Sequence, residues 1–138
     1  MTRLPNEVFV VVRRGEEFLV VHRAPRGGAY WHGIAGGLET GETYAEAAAR
    51  ELEEETGLAA QPVEVAPPFV YPITDAEPKY RALFPDADEI VVGCFLVDVP
   101  PGWEPVLNDE HDDYRWCSRD DAVELLYWPE PKELLRSL

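Results

Sequence analysis

A chain of 138 residues, 46% hydrophobic and 28% charged, has room for one domain with a sizeable core and little for a second. Its formal net charge of −15 opposes binding to a nucleic-acid polymer, whose affinity rests on Lys and Arg meeting phosphates. No apolar run approaches the roughly 18 residues that cross a bilayer, and MTRLPNEVFVVV lacks the basic start and cleavage site of a signal peptide, so a cytoplasmic protein without a membrane partner is expected.

The first predicted elements are two β-branched and aromatic runs in EVFVVVRRGEEFLVVHRAP, joined at Arg14-Gly15-Glu16 as a hairpin. PRGGAYWHGIAGGLETGE follows with six glycines and reads as loop or short strand with unusual backbone geometry. Residues 43–56 form the one strong helix pattern, with Thr43 and Glu46 as a capping box and Gly57 as its stop. PVEVAPPFVYPI reads as a strand interrupted by prolines, and DEIVVGCFLVDVP as a central strand covered on both faces. DDYRWCS is a short strand, SRDDAVELLYW opens a helix at Ser118, and PEPKELLRSL closes helically with Pro in its first turn. Strands on both sides of a central helix, with helices at the end, predict mixed α/β layers in a single domain over 1–138. Cys94 and Cys117 sit in strand-like stretches without metal-ligand spacing and read as buried free thiols.

RELEEETGL puts four glutamates, Glu51, Glu53, Glu54 and Glu55, into five positions. Like charges at helical spacing repel by a few tenths of a kcal/mol per pair, so the crowding needs a reason. At roughly 100° per residue, Glu54 and Glu55 fall about 60° and 40° to either side of Glu51, while Glu53 lies about 200° away as a solvated charge. Ala45, Ala48 and Leu52, with Ala49 at the edge, read as the packing stripe that this acidic patch borders. Carboxylates gathered near an interior raise one another's pKa values unless a cation neutralises them, and Mg²⁺ is held by carboxylates together with substrate phosphates. A divalent metal site is therefore expected on this helix.

At these residues the sequence resembles the Nudix box. A glycine, five residues, Glu, seven residues and Arg-Glu-aliphatic-any-Glu-Glu-any-Gly-aliphatic are matched by Gly36, Glu42, Arg50, Glu51, Leu52, Glu54, Glu55, Gly57 and Leu58, over 23 residues. The resemblance implies a Nudix fold, a mixed sheet between helices, and Mg²⁺- or Mn²⁺-dependent hydrolysis of a nucleoside diphosphate linked to another group. It implies that Glu51, Glu54 and Glu55 hold the metals, that Arg50 and Glu42 orient them, and that the Ala35 carbonyl is a further ligand. HRA, YWHGIAGG, EHDDYRW and LLYWPEP are similar, more weakly, to bacterial dihydroneopterin triphosphate pyrophosphohydrolases, which adds Glu110 to the expected metal ligands.

Substrate contacts are expected from Arg23, Trp31, Gly36, Gly37 and Arg81, with Lys79 a further phosphate candidate. Trp31, Tyr80, Phe84 and Trp128 are candidates to stack on a base or pterin ring, while His32 and His111 read as polar loop residues. The expected partner is a small nucleotide or pterin triphosphate, cut to monophosphate and pyrophosphate. Dinucleoside polyphosphates, ADP-ribose or other nucleotide sugars, and oxidised nucleotides stay open as substrates. So do a homodimer and a domain that senses ligand without catalysis, although such domains usually lose a box glutamate and this sequence keeps all of them.

Overall fold

The computed structural model describes residues 3–76 and 78–138, apart from the side chains of Arg3, Leu4, Lys79 and Tyr80. The expected contacts of Lys79 and Tyr80 lie outside the described residues. In chain order the elements are β1 (Arg3–Arg14), β2 (Glu17–Arg23), β3 (Trp31–His32), β4 (Ile34–Glu39), α1 (Tyr44–Thr56) and β5 (Val63–Pro72). They continue with α2 (Pro78–Leu83), β6 (Glu89–Asp98), β7 (His111–Cys117), α3 (Arg119–Leu125) and α4 (Pro129–Arg136). Single 3₁₀ turns lie at Pro25–Gly27 and Ile73–Asp75.

β1 organises the mixed sheet. One edge pairs in parallel with β6 from Asn6 to Arg13, and β6 in turn carries β5 on its far side. The other edge is shared: β4 pairs antiparallel with Glu7 to Val10, and only Arg13 and Arg14 meet β2 across the hairpin turn. β2 then leads away to β3 and β7. Because β4 and β2 divide one edge of β1, the sheet opens into two wings at that point.

Strict alternation in β1 builds both layers. Val8, Val10 and Val12 join the core beneath α1, with Leu52, Ala47 and Ala48. Phe9 and Val11 face the other way, onto Ala122, Leu126, Leu134 and Leu135 of the C-terminal helices and the residue that follows α3. β6 is covered on both faces as expected, and Cys94 is a buried free thiol within it. Cys117 is free but only half-buried. In β5 the register slips between Glu64 and Ala66 and again before Phe69, around Pro67 and Pro68, which suits an edge strand unable to donate those ladder bonds.

Helix α1 begins where the capping box places it. The Thr43 side chain accepts from the Glu46 N–H, and the Glu46 carboxylate accepts from the Thr43 N–H. It ends at Gly57, whose φ of 80° is the left-handed geometry that a glycine stop supplies.

Two expectations need correction. Ala45 is exposed; the buried face consists of Ala47, Ala48, Glu51, Leu52, Glu55 and Thr56, so the acids lie within the packing stripe instead of bordering it. The glycine-rich stretch is not loop throughout, since it supplies β3 and β4. Among the described residues, no helix is long and apolar enough to cross a membrane.

Candidate active site

Strand β4 packs against α1 at Arg50, Glu51 and Glu55, and the closeness of the two depends on Gly36. A Cβ there would stand 2.2 Å from the carboxyl carbon of Glu51, so the bare glycine backbone is what leaves room for the acid. Glu51 is 8% exposed and Glu55 1%, an unusual depth for two carboxyls on one helix. Glu54, a turn of helix away, is exposed, and Glu53 faces solvent as its angle on the wheel required.

Arg50 ties this cluster together. Its Nε donates to Glu42 Oε2 at 2.7 Å and its Nη2 to Glu42 Oε1 at 2.9 Å, a two-pronged pair. Nη2 also donates to the Gly37 carbonyl at 2.8 Å, while Nη1 donates to Glu51 at 2.8 Å and more weakly to Glu54 at 3.4 Å. Glu42 accepts in addition from the Glu39 N–H at 3.0 Å. The hydrogen bond from Arg50 holds the Glu42 carboxyl below its ordinary range, and that same bond is the main reason Arg50 stays firmly protonated. The guanidinium thus fixes the strand, the loop after it and the acidic face of the helix in one geometry.

Burial drives the other two acids the opposite way. Desolvation raises the Glu51 carboxyl, against the pull of Arg50, and raises Glu55 well above the usual range, helped by the adjacent Glu51 and by Glu110. Glu55 Oε2 is buried without a hydrogen-bond partner. His111, the first residue of β7, is 4% exposed, and its Nε2 lies 3.7 Å from Glu55 Oε1. Both ring nitrogens lack partners, and burial lowers the imidazole to about 4. Donor atoms of Glu55, Glu110 and His111 all fall within 4.8 Å of one another. A buried acid with an orphaned oxygen, crowded by two further carboxyls, suits a hard divalent cation. Glu51, Glu54, Glu55 and Glu110, with the nearby Ala35 backbone, are the groups that could hold it.

Glu51, Glu110 and Ala35 of this set line a cavity of about 510 Å³. Arg23, Gly36 and Gly37 line it too, as do the acids Glu7, Asp75 and Glu130. Tyr30, His32, Phe69, Tyr71 and Trp128 bring rings to its walls. Arg23 comes from the end of β2, where its Nε donates to the Gly27 carbonyl at 3.1 Å and its guanidinium stands 5.8 Å from the centre of the Tyr30 ring.

Of the residues expected to touch substrate, Arg23, Gly36, Gly37 and Trp128 line the cavity, whereas Trp31 and Arg81 do not. Side chains alternate along a strand. With Tyr30 and His32 turned into the cavity, Trp31 faces the outer side, edge-on to His22 at 5.0 Å and beneath Arg115 at 4.7 Å. Arg81 is exposed on α2, and Phe84 packs against the core beside the C-terminal helices. His111 is no loop residue, and His32, its Nδ1 buried, lines the cavity.

Sequence reading passed over Glu7, Tyr30, Phe69 and Tyr71. Glu7 had a signal, being an acid in phase with Phe9 and Val11 in a strand whose residues 8–12 are all buried.

The Nudix domain family model matches residues 3–138. An octanoyltransferase of Myxococcus xanthus is 37% identical over 131 residues, which cover 94% of this chain and 34% of that protein. The phosphatase NudJ of Escherichia coli (strain K12) is 46% identical over 77 residues, 56% of this chain and 50% of NudJ. The chain therefore spans between a third and a half of the length of these relatives. In fold it is similar to the E. coli dihydroneopterin triphosphate pyrophosphohydrolase, with a TM-score of 0.85 at 19% identity, covering 100% of this chain and 97% of the other. It is also similar to a C. elegans Ap4A hydrolase, with a TM-score of 0.74 at 24% identity, covering 95% and 92%. With the family match running over almost every residue and Arg50 tying the box acids Glu42, Glu51 and Glu54 together, this chain belongs to the Nudix family.

Proposed function

We propose that the chain is a divalent-cation-dependent pyrophosphohydrolase that cuts a nucleoside or pterin triphosphate to monophosphate and pyrophosphate. One observation carries this reading: a single cavity is lined both by Glu51 and Glu110, which belong to the crowded carboxyl set, and by the rings of Tyr30, Phe69, Tyr71 and Trp128. The carboxyl groups suit a cation-bridged polyphosphate, and the rings suit a flat heterocycle.

Glu51, Glu54, Glu55 and Glu110, with the Ala35 carbonyl, would hold Mg²⁺ or Mn²⁺. When bound, the ion neutralises charge on the phosphate oxygens and makes a coordinated water more acidic. Arg50 and Glu42 keep the carboxyls from splaying, Arg23 meets a phosphate oxygen, and the backbone of Gly36 and Gly37 allows close approach of the polyphosphate. One of these glutamates, ionised beside the bound cation, would also take the proton of the attacking water. Trp31 and Arg81 have no part in this reading.

The test is a panel of nucleoside triphosphates, dihydroneopterin triphosphate, Ap4A and ADP-ribose with Mg²⁺, following pyrophosphate and phosphate release. Pyrophosphate from a triphosphate is expected, lost in EDTA and reduced at least about 100-fold in Glu54→Gln. Release that persists in EDTA, or a Glu54→Gln variant as fast as the parent, would overturn it.

A further inference from the structure

Three acids that line the cavity, Glu7, Asp75 and Glu130, have no task in that hydrolysis, and of these only Glu7 lies on a central strand. Glu7 sits in β1, directly beside the glycines of β4. Its register partners are Gly37 on β4 and Val92 on β6, and Val92 pairs onward with Phe69 on β5. Residues paired directly across strands share a face of the sheet. All four line the cavity, so this row forms its floor. Adjacent strands lie about 4.8 Å apart, which makes the floor about 14 Å wide, with Gly37 of β4 at one side and Phe69 of β5 at the other. Tyr71, two residues beyond Phe69 and therefore on the same face, donates its hydroxyl hydrogen bond to Glu7 Oε1. The carboxyl group is thereby oriented on an otherwise apolar and aromatic floor.

A carboxylate only accepts hydrogen bonds, and it takes two parallel donors well. We propose that Glu7 determines specificity by accepting the ring N–H and the neighbouring amino group of a 2-amino-4-oxopyrimidine ring, the edge that guanine and pterins share. This deepens the hydrolytic reading of the cavity and rests on it. Adenine offers an amino donor beside a bare ring nitrogen, so one of its lone pairs would face a carboxylate oxygen. A site built to bond a donor rejects the analogue that lacks it far more strongly than an apolar pocket rejects a change of shape. Tyr71 acts as a positioning residue, holding the plane of the carboxyl group.

The experiment measures kcat/KM for GTP, dihydroneopterin triphosphate and ATP on the parent protein, Glu7→Gln and Tyr71→Phe, with circular dichroism melts to show that each is folded. The parent is expected to favour GTP, dihydroneopterin triphosphate or both over ATP by at least about 100-fold. The two arms then separate a nucleotide from a pterin as the source of the ring. In Glu7→Gln the preference should fall by a similar factor, because an amide presents a donor beside an acceptor and so suits adenine. Tyr71→Phe should lower it about 10-fold by releasing the carboxyl group, and this variant decides the matter if Glu7→Gln does not fold. Equal losses on all three substrates, or an unchanged preference, would overturn the assignment and leave the hydrolysis standing. Should no triphosphate be cleaved, the hydrolytic reading fails separately. Equilibrium binding of the α,β-methylene analogues of GTP and ATP to the parent and to Glu7→Gln then reads the same preference without turnover.

Discussion

At the scale of single residues, the cavity is a place where ordinary ionisation is inverted. Glu55 and Glu51 are pushed toward the neutral acid by burial, while His32 is pushed toward the neutral base. Desolvation lowers His32 to about 3, with the charge of Arg23 and the neighbouring His111 adding to it. The sign of the pH effect follows. Above the ordinary imidazole pKa of about 6.5, neither the folded nor the unfolded chain binds this proton. As pH falls below that value the unfolded chain takes it up and the folded one does not, so stability is lost progressively from there towards the folded value. His111, lowered to about 4, acts in the same direction, whereas the raised acids act in the other. Replacing His32 by Gln should therefore narrow the drop in melting temperature between pH 7 and pH 5. In the parent protein, nitrogen NMR shifts should show the His32 ring still neutral at pH 5. A ring already protonated at that pH would contradict the burial argument.

Between elements, the contact that matters is β4 against α1, and Gly36 controls it. Gly36→Ala places a methyl group against the Glu51 carboxyl, which must then move or push the strand away. Over-packing of this kind costs about 1–3 kcal/mol. Activity should fall more steeply than stability, because Glu51 is displaced from the cluster that Arg50 holds. Turnover reduced at least about 100-fold in a protein that still melts cooperatively is the expected result, from steady-state assays beside calorimetry. Normal turnover would show that the carboxyl has room to spare.

This contact also marks the limit of what the sequence disclosed. The box motif placed the acids, Arg50, Glu42 and Gly36 at one site because their spacing is fixed by a helix and a short loop. A helical wheel set on Glu51 chose Ala45 over Ala47, since it could not know that a glycine on the preceding strand makes room for Glu51 inside the buried face. Trp31 was misplaced by one residue of strand phase, which sequence cannot set when the strand is only two residues long. The row from Gly37 through Glu7 to Phe69 spans four strands and depends on register between segments far apart in the chain. Local pattern does not carry that information.

For the whole molecule, the question is whether the net charge of −15 or the local cluster sets the response to cations. Any salt screens repulsion between exposed charges beyond a Debye length of about 10 Å at 0.1 M. A general rise in melting temperature with NaCl is therefore expected from 27 acids set against 12 bases. Glu51 and Glu55 lie buried against each other, out of reach of that screening. A divalent ion binding the folded state alone adds RT ln(1 + [L]/Kd), about 1.4 kcal/mol at ten times Kd, or roughly 5 °C for a domain of this size. At matched ionic strength, Mg²⁺ should raise the melting temperature of the parent above its value in NaCl. The double variant Glu51→Gln with Glu55→Gln should keep the NaCl increment, lose the Mg²⁺ increment, and melt higher than the parent when no divalent ion is present, because two acids that burial penalises have become neutral. A double variant that responds to Mg²⁺ as the parent does would place the cation effect on the surface at large and remove the physical reason for crowding glutamates on this helix.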